Sequence, residues 1–330
     1  MGCSQSGKRN DLITGLTVVE QLELTEHPVT LTETEDKRLG FGSGEGNIAI
    51  FSFNESDNKW NRDIYIKPAH EGIINSLCAL KGNRLLSGGC DDHLIKVWAL
   101  SKTELTLLKE IEEHTSIINK VIPLSKERFA SCSYDNTVKI WKDDDTYECI
   151  TTLEHTGNVT SIAQLNGKEV LVSSFEESDG EEDNEAYPSG IAFRNTEDYS
   201  TLGVIEGYNA YIPCHMIALP NDDVALSFSR DEQYFIAIFD SLSYKVKKEI
   251  YLENYIIGSS CLCVLNDCSF VYVFKGNCVQ ISSEDYSILF KYQGEECEFI
   301  GFNSVIPFHQ NKYLAIYNEN NIAIAKLTYA

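Results

Sequence analysis

The sequence predicts an all-β fold, a closed ring of seven repeated sheet units. Three observations carry that expectation. The hairpin-like stretch S-C-S-Y-D-N-T-V-K-I-W, from Ser131 to Trp141, recurs upstream as S-G-G-C-D-D-H-L-I-K-V-W, from Ser87 to Trp98. His70, His114 and His155 stand at similar distances ahead of successive copies. Apolar and polar residues alternate along most of the chain, and almost no stretch carries a helical period. Self-similarity at roughly 40 residues marks a repeat architecture, in which no unit buries its own faces.

The chain has 330 residues, 43% of them hydrophobic, ample for one buried domain. Its formal net charge of −23 repels nucleic-acid phosphate, so nucleic acid is not an expected partner and basic protein segments are. No apolar run is long enough to span a bilayer, and the N-terminus lacks the apolar core of a secretory signal. The expected location is cytoplasmic, where the 11 cysteines are reduced thiols. Their densest group, Cys261, Cys263, Cys268 and Cys278, lacks the paired C-x-x-C spacing of a zinc site. No metal and no other cofactor is expected.

Residues 1–15 read as a flexible tail and 16–330 as a single domain. Met1-Gly2-Cys3-Ser4-Gln5-Ser6 fits the myristoylation pattern M-G-x-x-x-[ST], with Gly2 as acceptor and Cys3 beside it open to palmitate. One acyl chain holds a membrane only marginally and two hold it stably. Lys8 and Arg9 add attraction for anionic lipid. The tail therefore predicts a position at the cytosolic face of a membrane.

Leu16 to Leu24 reads as a strand with no hairpin partner beside it. Leu39 to Phe51 overlays the repeat, with Phe51 in the Trp place and Glu45 in the Asp place. Its Gly42, Gly44 and Gly46 suit a hairpin needing positive φ; with no following helix and no Lys-Ser/Thr they cannot cradle phosphate. In the fourth unit, Val170 to Ser174 and Gly190 to Arg194 flank an acidic insertion at 176–189, with Phe193 in the Trp place. Fainter hairpins follow: Val224 to Ser229 with Tyr234 to Phe239, Ser269 to Phe274 with Cys278 to Ser282, and Tyr313 to Tyr317 with Ile322 to Leu327. The last unit stops one strand short at Ala330, and the orphan Leu16 to Leu24 supplies that strand and closes the ring.

The repeat resembles the WD40-repeat family of seven-bladed β-propellers over nearly all of residues 16–330. The resemblance implies a hydrogen-bonded group of His, strand Ser, turn Asp and Trp within a blade. The third unit offers His114, Ser131, Asp135 and Trp141. The second offers His70, Ser87 and Trp98, with Asp91 favoured by the spacing from Ser87 and Asp92 by the spacing to Trp98. The fourth keeps His155 and Ser173. The Gly usual before each His is replaced by Ala69, Glu113 and Glu154. His114, Ser131 and Asp135 also spell a hydrolase triad, but a set that recurs in neighbouring units fits a structural role, whereas a catalytic triad occurs once.

The resemblance further implies binding on the face that carries the loops between blades and the turn between the second and third strands. Ile73, Ile117 and Asn158, each three residues after its His, lie there with Glu71, Thr115, Tyr134 and Asp91. Apolar contacts inside a polar collar suit a protein interface. Glu176, Glu177, Asp179, Glu181, Glu182 and Asp183 of the insertion overhang the same face and suit a Lys/Arg-rich partner. The expected function is a non-enzymatic scaffold or adaptor, holding protein partners at a membrane surface, with no small-molecule substrate. The alternatives are a soluble subunit of a larger cytosolic complex and a propeller hydrolase.

Overall fold

Middle strands also carry apolar residues at successive positions, as in Ile48-Ala49-Ile50-Phe51, all buried, so both faces of a sheet are apolar and every sheet needs a neighbour on each side. The computed structural model describes residues 13–23, 26–54, 59–165, 168–176, 189–206, 215–230, 233–252, 261–266, 269–274, 277–293, 305–308, 312–318 and 321–329. Within them lie seven four-stranded antiparallel sheets, the blades. Strand β1 (Ile13–Glu23) comes first in the chain but belongs to the last blade. Blade 1 is β2 (Pro28–Glu33), β3 (Leu39–Ser43), β4 (Ile48–Asn54) and β5 (Lys59–Ile66). Blade 2 is β6 (Ile74–Leu80), β7 (Arg84–Gly89), β8 (Ile95–Leu100) and β9 (Leu105–Ile111). Blade 3 is β10 (Ile118–Leu124), β11 (Arg128–Ser133), β12 (Thr137–Lys142) and β13 (Cys149–Glu154). Blade 4 is β14 (Asn158–Gln164), β15 (Val170–Glu176), β16 (Gly190–Asn195) and β17 (Thr201–Glu206). Blade 5 is β18 (Met216–Ala218), β19 (Val224–Arg230), β20 (Gln233–Asp240) and β21 (Lys245–Leu252). Blade 6 is β22 (Cys261–Asn266), β23 (Ser269–Phe274), β24 (Asn277–Ser282) and β25 (Ile288–Gln293). Blade 7 is β26 (Val305–Phe308), β27 (Tyr313–Asn318) and β28 (Asn321–Tyr329), completed by β1.

The first strand of each blade is innermost. These strands touch in sequence, β2 to β6, β10, β14, β18, β22 and β26, and β26 returns to β2. The described apolar core divides into clusters that each lie between adjacent blades. Phe129 and Trp141 of blade 3, for example, pack with Leu86, Ile95 and Ile111 of blade 2. Strand β1 joins two such layers. Ile13 and Leu16 pack against blade 6, whereas Leu22 packs against blade 1. A bulge between Val18 and Glu20 turns the strand's apolar face over midway. The N–H of Ile13 is accepted by Gln280 Oε1 at 2.9 Å, which fixes the end of β1 to blade 6.

One irregularity recurs in every blade. The outermost strand bulges opposite a single position of the third strand: Phe51, Trp98, Trp141, Arg194, Phe239, Ile281 and Ala325. This register defines the Trp place. It corrects the expectation for blade 4, where the place belongs to Arg194 and not Phe193. Adjacent residues of a strand point to opposite faces, and Phe193 packs into the layer with blade 5 beside Tyr244. The glycine expectation is also refined. Gly46 has φ +79, but Gly42 is required by close approach, because a Cβ there would lie 2.7 Å from Ile74 of the next blade.

On the face of the first and third turns, residues at the start of the second strand reach the next blade in blades 1, 2, 3 and 5. Arg38 donates to the carbonyls of Ser101 and Lys102, Arg84 to Asp143 and Tyr147, and Arg128 to Thr196 and Tyr199. In blade 5, Asn221 and Asp223 bond Tyr286 of blade 6. Tyr147, Tyr199 and Tyr286 hold left-handed φ values of 52, 60 and 58 degrees in their turns. An L-residue there costs about 1–2 kcal/mol, and their buried latch contacts offset it.

Gln280→Leu leaves the buried Ile13 N–H without its acceptor while keeping side-chain volume. The urea midpoint should correspond to a loss of about 1–3 kcal/mol. An unchanged midpoint would show that the ring closes without this bond.

Candidate functional site

In blade 3, His114 Nδ1 donates to the carboxylate of Asp135 (2.7 Å), and Nε2 shares a hydrogen bond with the Ser131 hydroxyl (2.7 Å). Ser131 Oγ also accepts the indole N–H of Trp141 (2.9 Å). Asp135 further accepts the N–H groups of Thr115 (3.2 Å) and Thr137 (3.0 Å). One carboxylate thus clamps the loop entering the blade to the turn between its second and third strands. Blade 2 repeats the arrangement with His70 to Asp92 (2.9 Å), His70 to Ser87 (2.6 Å) and Trp98 to Ser87 (2.8 Å). Asp92 accepts the N–H of Glu71 (3.2 Å). Asp91 lies outside this network: the turn is one residue longer than in blade 3, which leaves Asp91 exposed beside Gly72.

Ser87 and Ser131 are fully buried, and each Oγ is engaged on two sides. A nucleophile needs an open face for its substrate; these hydroxyls instead tie strands together. Blade 4 departs from the pattern. His155 Nε2 meets Ser173 Oγ (2.7 Å), but Nδ1 meets the backbone carbonyl of Leu153 (3.1 Å). Burial, with the nearby Arg194 charge, holds His155 down to about 4. The ring is therefore neutral at pH 7, donating from Nδ1 and accepting at Nε2. Arg194, in the Trp place, donates to the carbonyl of Glu154 (2.8 Å).

The clamped loops carry the predicted rim residues. The N–H of Tyr134 bonds the carbonyl of Ile117 (2.9 Å), as Cys90 bonds Ile73 (2.8 Å). Ile73 is 37% exposed, Glu71 and Thr115 are exposed, and Ile117 and Tyr134 are half-buried. Ile117 and Tyr134 meet at a cavity of about 440 Å³ in the central channel; Ile73 and Asn158 do not line it. Asn158 pairs with Glu176 across β14 and β15, which sets Glu176 at the edge of blade 4. Gly2, Cys3, Glu177, Asp179, Glu181, Glu182 and Asp183 lie outside the described residues. The sequence reading missed Lys120 and His215, which line the same channel. A signal existed: Lys120 lies six residues after its His, where the neighbouring units carry Ser76 and Ser161. Among the described residues, no group of three or more His, Cys, Asp or Glu could hold a metal.

For Asp92 and Asp135, burial is the largest single influence and acts to raise the pKa, but the hydrogen bonds they accept, led by those from His70 and His114, together outweigh it and hold both carboxyls below their ordinary value. A carboxylate held low in the folded state stabilises above its unfolded pKa, and the contribution disappears as pH falls through the folded one. The stability advantage of the wild type over Asp135→Asn should be flat from about pH 7 to about pH 5 and shrink below about pH 4. Urea midpoints across that range test it; an advantage that grows in acid would contradict the assignment.

Comparison with known proteins agrees with this geometry. The family model described as "WD domain, G-beta repeat" matches residues 62–99 and 105–142. The chain is 32% identical over 108 residues to the ubiquitin homeostasis protein lub1 of Schizosaccharomyces pombe, covering 32% of this chain and 14% of that protein. It is 29% identical over 119 residues to the nuclear distribution protein nudF of Aspergillus flavus, covering 35% and 26%. It is 29% identical over 128 residues to the protein transport protein sec13 of Aspergillus clavatus, covering 32% and 42%. The alignments thus span less than half the length of each relative. Among solved structures, the WD40 β-propeller domain of Doa1 superposes with a TM-score of 0.73 at 16% identity, covering 95% of this chain and 97% of that one. The chain is thus a seven-bladed β-propeller that carries WD40 repeats at residues 62–99 and 105–142.

Proposed function

We propose that the protein is a non-enzymatic scaffold that captures protein partners on the rim formed by the clamped loops of blades 2 and 3. The observation that carries this reading is the pairing of exposed apolar contacts with immobilised backbone. Ile73, Ile117 and Tyr134 sit among polar Glu71 and Thr115 on loops tied down by Asp92 and Asp135. Loops already ordered before binding lose little entropy when a partner arrives. The net charge of −23 favours partners with basic segments, and the acidic stretch from Glu176 onward suits the same chemistry. The relatives' names, in nuclear distribution, ubiquitin homeostasis and protein transport, are compatible with a role in assemblies. The scaffold is tethered to a membrane by myristate on Gly2 and palmitate on Cys3, a reading supported by the match of Met1 to Ser6 to the acylation pattern. Tethering would raise the local concentration of whatever the rim holds.

Proximity labelling in cells, followed by capture with wild type and with Ile73→Glu/Ile117→Glu, tests the rim. The double variant should keep its thermal midpoint and lose at least about 10-fold in partner affinity, the effect of removing an apolar anchor worth roughly 1.4 kcal/mol. Undiminished capture would exclude this face. Gly2→Ala should shift the protein from the membrane to the soluble fraction, with loss of an acyl adduct in the intact mass. Unchanged partitioning would leave the scaffold reading and remove the anchor.

A further inference from the structure

One level of the central channel is set by equivalent positions on the inner strands. Thr30, Ser76, Lys120 and Ser161 pair respectively with Gly42, Gly88, Cys132 and Ser174, just beyond the bulge at the start of each strand. His215 holds the corresponding place in blade 5, immediately before Met216. At this level, a side chain of one blade accepts a backbone N–H of the next. Thr30 Oγ1 accepts from Leu77 (3.2 Å), Ser76 Oγ from Val121 (3.0 Å) and His215 Nδ1 from Leu262 (2.9 Å). Lys120 cannot take part, because an ammonium only donates. It reaches across blade 4 instead, giving hydrogen bonds to Ser161 Oγ (3.3 Å) and to the carbonyl of Met216 on blade 5 (3.1 Å).

No carboxylate balances this ammonium among the described residues. The described residues lining the 440 Å³ cavity include no Asp or Glu. A second cavity of about 550 Å³ also borders Lys120; the one acid among its described lining residues, Glu169, is held by Lys126 (3.4 Å) and Arg128 (3.2 Å). The titratable groups facing Lys120 are neutral at pH 7. Burial pushes the thiols of Cys78 on β6 and Cys132 on β11 up to about 12, and burial together with the Lys120 charge holds His215 down to about 3. Because His215 Nδ1 accepts from Leu262, its ring proton sits on Nε2, which has no partner among the described residues. Ser161 Oγ, accepting from Lys120, keeps its own O–H to give. An acidic protein has thus placed donors of hydrogen bonds in its channel, with a positive charge that no carboxylate among the described residues balances. Lys120 is half-buried in the channel wall, and a cation partly withdrawn from water is costly without a counter-charge, a cost that a charge-assisted bond to an anion offsets.

We propose that the channel binds a small oxyanion of the carboxylate or phosphate class between Lys120 Nζ, His215 Nε2–H and the Ser161 hydroxyl. The ligand is small because it must fit the 440 Å³ cavity behind Ile117 and Tyr134. It is an anion because the groups left facing the channel here, Lys120 Nζ, His215 Nε2–H and the Ser161 O–H, are all donors and one of them is a cation. Burial holds the Lys120 amine down to about 8, so occupancy should fall as the pH is raised through that value.

The test is calorimetric titration of the full-length protein with inorganic phosphate, and separately with acetate, at pH 7 and constant ionic strength set by chloride. Phosphate, acetate or both should bind at millimolar concentration or better and raise the thermal midpoint. Lys120→Met should weaken that binding at least about 10-fold, which corresponds to about 1.4 kcal/mol. Lys120→Arg should retain it, because the charge and the donors remain. Far-UV circular dichroism and a cooperative melt establish that each variant is folded; Lys120→Gln serves the same purpose if Met disturbs the ring. Sulfate, whose charge is constant across this range, supplies the pH arm: affinity should decline between about pH 7 and about pH 9 in the wild type and stay level in Lys120→Arg. Which of phosphate and acetate binds identifies the class. Failure of both to bind at about 10 mM, or equal binding by wild type and Lys120→Met, would overturn the proposal. Loss of the channel anion would leave partner capture at the rim untouched, so the two readings fail separately.

Discussion

A four-stranded sheet with two apolar faces is stable only when both are covered, and this requirement governs the whole molecule. No blade has a core of its own. The described apolar residues gather into layers between neighbours, from Ile50 and Leu85 between blades 1 and 2 to Ala315 and Phe41 between blades 7 and 1. Such a stack is satisfied only when it returns to its start. The closing contact, β2 against β26, therefore matters to every layer, and β1 secures it by pairing with β28 along its length. Chain order and spatial order part company at that strand alone. The Gln280 bond to Ile13 and the Arg latches carry the same constraint into the polar groups at the blade edges.

The Trp place separates what the backbone needs from what a side chain contributes. Every blade bulges there, whichever residue occupies it. Trp98 and Trp141 donate an indole N–H to a strand Ser and complete a network that reaches the loops. Phe51 has no donor and stacks on Phe41, which stands in the Ser position, with centroids 5.8 Å apart. Arg194 turns its guanidinium to a carbonyl of blade 3. The bulge is thus a requirement of blade geometry. The hydrogen-bonded network is an addition, complete in blades 2 and 3 among the described residues.

That addition ties architecture to binding. Asp92 and Asp135 join a blade's interior to the N–H of a loop residue, so the rigidity of the ring extends to the rim. Ile73, Ile117 and Tyr134 are presented on backbone that is already ordered. The net charge is strongly negative, whereas the channel holds an ammonium, Lys120, that no carboxylate among the described residues balances. The two proposed ligands, basic partners on the rim and a small anion in the channel, would engage different polar groups of one ring.

Much of this could be read from the residues. Periodicity determined the strands, because a side-chain period of two belongs to extended backbone and not to a helix, and the recurrence of His, Ser, Asp and Trp determined the repeat and its structural purpose. The displaced strand near Leu16 was legible from the arithmetic of complete blades. The choice between Asp91 and Asp92 was not, because one inserted residue satisfies both spacings and only the path of the turn decides which carboxylate reaches His70. Arg194 was hidden for a similar reason: a bulge shifts the register by one, and one residue exchanges the two faces of a strand. Lys120 was visible as an oddity among Ser76 and Ser161 but without meaning until the ring brought His215, far along the chain, to the same level. The sequence alone determined the local periods and hence the blades. The tertiary structure decided facing, pairing and charge balance, because those depend on which distant residues closure brings within a few ångströms.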